Sequence, residues 1–156
     1  MSRGLDRKAE LHWRTGFTLL EMLVVLAIIA LLASFVAPTV FRNVGDARRT
    51  TAQAQVDALA IALHAYHLDV GSYPTTDEGL AVLREPPLTP NARSTWRGPY
   101  LAKEIVPDPW HRPYLYISPG ERSRTSFDLY SLGRDGQPGG EGEDADVTSW
   151  GGAVAR

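Results

Sequence analysis

Cysteine is absent from the 156-residue chain, and with it go disulfides, thiolate-ligated zinc and thiol nucleophiles. The absence leaves the compartment open, since an exported protein can also lack disulfides. No charge of one sign dominates: 16 Lys and Arg stand against 18 Asp and Glu, a formal net charge of −2. Such a balance gives no support to a nucleic-acid binder held by phosphate contacts. A His–carboxylate constellation at meaningful spacing is missing, as is a glycine-rich phosphate loop behind a strand. No catalytic group assembles, and the chain reads as a non-enzyme.

What is present is unevenly distributed. Residues 17–37 are apolar with one charge, Glu21, whereas the rest is polar and concentrates its glycine and proline in the second half. A leader of 16 residues precedes the apolar run and carries Arg3, Arg7, Lys8 and Arg14 against Asp6 and Glu10. As a helix, the apolar run extends roughly 31 Å at about 1.5 Å per residue, close to the hydrocarbon thickness of a bilayer. A buried soluble helix of this kind would need more partner surface than the polar remainder supplies. A cleaved signal peptide would need small residues at −3 and −1, which the ends at Ala33 and Ala37 do not provide, Leu31 and Phe35 lying two residues before them. A retained membrane helix carrying an exported C-terminal domain is the reading that remains. Charge alone does not orient it, because Arg42, Arg48 and Arg49 follow soon after the run.

Glu21 has two readings. A carboxylate at the centre of an apolar helix costs about 2.5–3.5 kcal/mol on insertion scales, and less near an end. It can snorkel to the headgroups. Alternatively, a cut between Gly16 and Phe17 would create an α-amino group one helical turn away, and either that amine or a neighbouring subunit's could meet the charge.

The run Gly16-Phe17-Thr18-Leu19-Leu20-Glu21, between a basic leader and an apolar block, resembles the prepilin-class signal of type IV pilins and type II secretion pseudopilins. The resemblance extends through Gly71-Ser72-Tyr73-Pro74-Thr75-Thr76-Asp77-Glu78-Gly79-Leu80, Trp96-Arg97-Gly98-Pro99-Tyr100 and Asp108-Pro109-Trp110-His111-Arg112-Pro113-Tyr114. It continues through Asp128–Gly136, Ala145-Asp146-Val147 and Trp150, and these segments are similar to the major (G-type) pseudopilins. His111 departs from the family, which usually has glycine there, and the departure bears on the turn. The resemblance implies cleavage after Gly16 by prepilin peptidase, N-methylation of Phe17, a subunit-recruiting role for Glu21, and a bend or loosening of the helix at Pro38. It thus implies a leader at 1–16, a transmembrane and fibre-core helix at 17–38, and a periplasmic head at 39–156.

Within that head, Val56, Leu59, Leu63, Tyr66 and Val70 recur at spacings of three and four, an amphipathic stripe expected to lie under a sheet. The expectation is one long helix from about 17 to 70, weakened near Pro38 and at Gly45, with Gly71 as its cap. Residues 77–83 suit a short helix, and 85–99, holding four prolines, read as ordered loop. Short strands are expected over 113–117 and 126–131, joined by a hairpin containing Pro119-Gly120. Trp96, Tyr100, Trp110 and Trp150 read as packing anchors. His64 and His67 share a helical face, but Asp69 is badly placed to complete a metal site, so packing or solvated histidines are the reading. With these elements, the resemblance implies an α+β, type IV pilin-like fold in which the long helix packs on a small antiparallel sheet.

Between Asp135 and Asp146 lie five acids, no bases and four glycines. Composition leaves two readings open: a solvated acidic loop, or a Ca²⁺ site built from carboxylates and backbone carbonyls. The spacing fits neither an EF-hand nor a calcium-binding solenoid repeat. The resemblance implies one structural Ca²⁺ here, held by Asp135, Asp144 and Asp146 with the Leu132 carbonyl, Glu143 being the substitute. It also implies the main subunit of a periplasmic fibre that drives export of folded proteins across the outer membrane. Its implied partners are copies of itself, minor pseudopilins, an inner-membrane platform with an indirectly acting cytoplasmic ATPase, and exoprotein substrates. Two alternatives stand beside it: a type IV pilin for adhesion, motility or DNA uptake, and a monomeric membrane-anchored periplasmic binding domain.

Overall fold

The computed structural model describes residues 16–152 and Val154, without the side chains of 36–42. The expected leader therefore lies outside the described residues, apart from Gly16. The chain divides into two units, Met1–Val40 and Phe41–Arg156. The first helix, α1, runs over Leu19–Val70, 52 residues. It runs without a break through Pro38, whose side chain lies outside the described set, and through Gly45. Among the described residues no helix is long and apolar enough to cross a membrane. The expected span over 17–38 runs into the undescribed side chains.

In the first unit, every described residue from Gly16 to Phe35 is exposed. In the second, α1 shows the expected one-sidedness: Ala52, Val56, Leu59, Leu63 and Tyr66 are buried and Val70 is partly covered. The stripe packs in one core with Val82 and Leu83 and with Tyr114, Tyr116, Phe127, Leu129 and Val147. The helix ends where Gly71, at φ +87°, turns out and donates its N–H to the His67 carbonyl at 2.8 Å.

The sheet is small and antiparallel, in the order β1 (Leu115–Ile117), β2 (Asp128–Ser131), β3 (Val147–Thr148). Tyr116 pairs with Leu129 and Ser131 with Val147, so the buried Tyr116, Leu129 and Val147 all contribute to the core. The first two strands fall inside the expected segments and are shorter. The loop between β1 and β2 closes when Gly120 donates to the Ser126 carbonyl and the buried Asp128 accepts from the N–H groups of Glu121 and Arg122.

The structure corrects the reading of 85–99 as loop throughout. Pro90–Thr95 form a short helix, α2. Pro90 occupies its first turn, where the missing N–H would have had no partner, so proline here starts a helix instead of preventing one. The expected helix at 77–83 is a 3₁₀ turn over Gly79–Leu83. Glu78 fixes its start by accepting from the Thr75 N–H and from the hydroxyls of Thr75 and Thr89.

Aromatic hydroxyls tie the segments together. Tyr116 donates to the Pro74 carbonyl, Tyr114 to Gln55 on α1, and Tyr100 to Asp69 at the end of α1. Trp96 donates to the Val82 carbonyl. Burial pushes Tyr66 and Tyr116 up to about 12, and pushes Tyr114 up as well.

Candidate functional sites at the helix start and the acidic loop

At the start of α1, Thr18 precedes the first helical residue and accepts, at Oγ1, the N–H of Glu21 at 3.2 Å. Thr18 and Glu21 stand in the Thr-x-x-Glu spacing of a capping box, and Glu21 sits in the first turn, where the positive end of the helix dipole favours a carboxylate. Sequence reasoning weighed only the charge of Glu21; the signal that places it at a helix start is local, the Thr18-Leu19-Leu20-Glu21 spacing itself. Gly16 and Phe17 lie ahead of the helix, and Phe17 is 73 % exposed. The junction is accessible, and the residues behind it present thirteen exposed large apolar side chains from Phe17 to Phe35.

The acidic loop follows β2. Gly133, at φ +61°, passes so close to the returning chain that a Cβ would lie 2.8 Å from the Glu143 carbonyl oxygen and 2.9 Å from that of Ala145. The approach is held from a neighbouring loop: the Arg112 guanidinium donates to the Gly133 carbonyl at 2.6 Å, and the buried Asp108 accepts from the Ser131 hydroxyl, which itself accepts the Gly133 N–H.

The expected ligands are placed differently from one another. Asp135 Oδ1 accepts the Gln137 N–H at 3.0 Å. The Leu132 carbonyl accepts from the Gly136 N–H at 3.2 Å. Asp146 is 6 % exposed; its Oδ2 accepts from the N–H groups of Gly139 and Val154, both at 2.8 Å, while Oδ1 is buried with no hydrogen-bond partner. Asp144 is held by Arg134, whose Nε and Nη2 reach its two oxygens at 2.9 and 3.0 Å. Nη1 of the same guanidinium reaches Glu143 at 3.1 Å, and Glu143 also faces Arg48 of α1 at 3.7 Å. The bonds to Asp144, reinforced by its charge, raise the Arg134 pKa above its ordinary value. Among the described residues no three acidic or histidine side chains are gathered as a metal-ligand group.

Glu143 also accounts for Gly45. That glycine is buried in α1, and a Cβ there would lie 2.6 Å from the Glu143 Cγ. The sequence suggested Gly45 as a weak point of the helix; the structure makes it the place where the acidic loop approaches the helix. Sequence reasoning also missed Arg134 as a partner of the acids, because the guanidinium belongs to the beginning of the loop and its carboxylates to the end.

The comparisons with known proteins cover most of the chain. Residues 39–150 match the family model described as type II secretion system (T2SS), protein G, and residues 14–37 match the prokaryotic N-terminal methylation motif. The chain is similar to the type II secretion system core protein G of Vibrio cholerae, 44 % identical over 88 % of this chain and 92 % of the other. It is also similar to that of Pseudomonas aeruginosa, 41 % identical over 88 % of this chain and 95 % of the other. Among solved structures it resembles the major pseudopilin from the type 2 secretion system of enterohaemorrhagic Escherichia coli, with a TM-score of 0.56 and 32 % identity over 69 % of this chain and 90 % of that one.

Proposed function

The chain belongs to the type II secretion system protein G family, and we propose that the apolar part of α1 is the surface through which it enters the fibre. It is a pseudopilus subunit of type II secretion and works by assembling with other components of that system. The observation that carries the proposal is that thirteen large apolar side chains from Phe17 to Phe35 have no cover from the described chain, while the second unit closes its own core. In water such a surface is untenable; in a bilayer, and then against copies of itself, it is stable.

Processing is the step that changes the chemistry. Cleavage between Gly16 and Phe17 removes the basic leader and leaves an α-amine, subject to methylation, ahead of the Thr18 cap. Glu21 is the only charged residue of 17–37. Its carboxylate stays costly in lipid until an amine of its own or an adjoining subunit neutralises it, and the cost favours incorporation over remaining alone. Pro38 would loosen the helix during transfer from membrane to fibre. The inner membrane holds the subunit with its head in the periplasm. The membrane platform and its ATPase, the minor pseudopilins and the exported proteins are its partners, and the subunit itself carries out no catalysis.

The head takes a divalent cation, Ca²⁺, in the acidic loop. The buried Asp146 Oδ1 without a partner is what supports this, because a carboxylate oxygen removed from water needs a donor or a cation. Asp135, Asp144, Asp146 and the Leu132 carbonyl are the oxygens that would hold it. The cation would supply charge neutralisation among acids that otherwise repel, adding its binding free energy to folding.

The test is the mature amino terminus, read by mass spectrometry from membranes of cells with the whole secretion system. A chain beginning at methylated Phe17 is expected, with Glu21→Gln still inserted but poorly incorporated into fibres. Retention of residues 1–16 in assembled fibres, or normal assembly of Glu21→Gln, overturns the proposal.

A further inference from the structure

Arg134 holds both oxygens of Asp144 in a forked pair and Glu143 with its third nitrogen. The loop's one described internal guanidinium thus already occupies a carboxylate that the cation would use. We propose that Arg134 is the acidic loop's own counter-ion and competes with the divalent cation for Asp144, so that metal binding and the Arg134–Asp144 pair exclude one another. The inference rests on the calcium reading given above.

The chemistry is one of geometry and charge. A carboxylate accepting a fork at 2.9 and 3.0 Å presents the plane and the lone pairs that a cation would need. A guanidinium beside the site also repels a divalent ion. Asp146 differs: its Oδ2 is satisfied by backbone N–H groups and its buried Oδ1 has no partner, so it needs no release. Without metal, Arg134 bridges Asp144 and Glu143 and limits their mutual repulsion. With metal, Asp144 turns to the cation and Arg134 is freed into solvent, on which side it already lies, its side chain being 56 % exposed. Glu143 then keeps Arg48 of α1 as its partner, so the exchange leaves the loop's tie to the helix in place.

The consequence is a lowered affinity, with a metal-free head that stays closed instead of springing open. The competition is electrostatic and exposed, so it is modest and weakens with salt.

The test uses the full chain in detergent micelles, with calcium chloride alone as probe. Calorimetric titration should show Arg134→Gln binding Ca²⁺ about two- to fivefold more tightly than the parent at low salt, with a lower melting temperature in chelator. The difference should shrink as sodium chloride rises. Arg134→Lys, which keeps charge but cannot form the fork, should fall between them. Equal or weaker binding by Arg134→Gln, with the parent binding normally, overturns the competition and leaves the calcium reading standing. Failure of every form to bind overturns the calcium reading and the competition with it. In the parent, the Arg134 Nε–H resonance should lose its exchange protection as Ca²⁺ is added; if it remains protected at saturation, the competition is overturned even should the variants not fold.

Discussion

The two ends of α1 are built from similar residues and put to opposite uses. Toward its start, Leu23, Leu26, Ile29 and Leu32 are exposed; toward its end, Val56, Leu59 and Leu63 are buried against the rest of the second unit. The difference lies in the sequence around them. From 17 to 37 the apolar residues go all the way round the helix, so that one partner face could never cover them. From 52 to 70 they form a stripe, which a three-stranded sheet can cover. An all-round apolar helix calls for lipid or for several like helices, and a striped one for a domain. On the reading proposed above, one continuous element carries a stability that belongs to the fibre at one end and to the single chain at the other.

The sharpest way to break this comparison is to make the same truncation at both ends. Leu63 is fully buried and Leu26 is 66 % exposed. Leu63→Ala should cost the head about 2–5 kcal/mol in urea unfolding followed by tyrosine and tryptophan fluorescence, whereas Leu26→Ala should change head stability by no more than about 0.5 kcal/mol. Leu26→Ala is expected to act on fibre yield instead. A loss of head stability from Leu26→Ala comparable to that from Leu63→Ala would abolish the distinction.

Alkali separates the ends by a different route. All six tyrosines lie beyond residue 65, and burial pushes Tyr66 and Tyr116 up to about 12. The unfolded chain ionises its tyrosines near pH 10, so above that pH it has lost protons that the folded head retains. Stability is therefore unaffected by these groups below about pH 10 and falls as the pH rises from about 10 to 12. The midpoint of head unfolding in urea should drop across that window, while the helical signal of a detergent-bound peptide spanning 17–37 should hold. An unchanged midpoint would mean that the tyrosines are not shielded as the fold places them.

How much of this was legible in the sequence follows from the range of each interaction. The long helix, its buried stripe and the positions of β1 and β2 could be read because periodicity and turn residues are local. Pro90 misled because the same residue stops a helix from inside and starts one from its first turn. β3 has two residues, too few to show a period, and exists only because β2 offers an edge. The acidic loop was visible as composition, yet its pairing was not: nothing local says that Arg134 reaches forward to Asp144 or that Glu143 lies over Gly45. Those depend on where the chain returns after nine or more residues.

The smallest expected effect concerns the head alone and tests how firmly it holds its own shape. His111 stands at φ +68°, in the left-handed region that favours glycine, at the position noted in the sequence as a departure that bears on the turn. Its side chain is exposed, so the conformation is imposed by the backbone. Asp108 imposes it: its Oδ1 accepts the N–H groups of Trp110 and Arg112, its N–H donates to the Arg112 carbonyl, and its own carbonyl accepts the His111 N–H. Four bonds around one buried acid outweigh a strain of about 1–3 kcal/mol. Glycine would relieve that strain but lose about 0.5–1 kcal/mol to the greater freedom of the unfolded chain. His111→Gly should therefore stabilise the head by on the order of 1 kcal/mol, raising its melting temperature by a few degrees. Asn, which tolerates this region better than most residues, should gain part of the benefit, and Ala none. If Ala stabilised the head as much as Gly, the gain would come from removing the imidazole, and the tight turn around Asp108 would not be where the head stores strain.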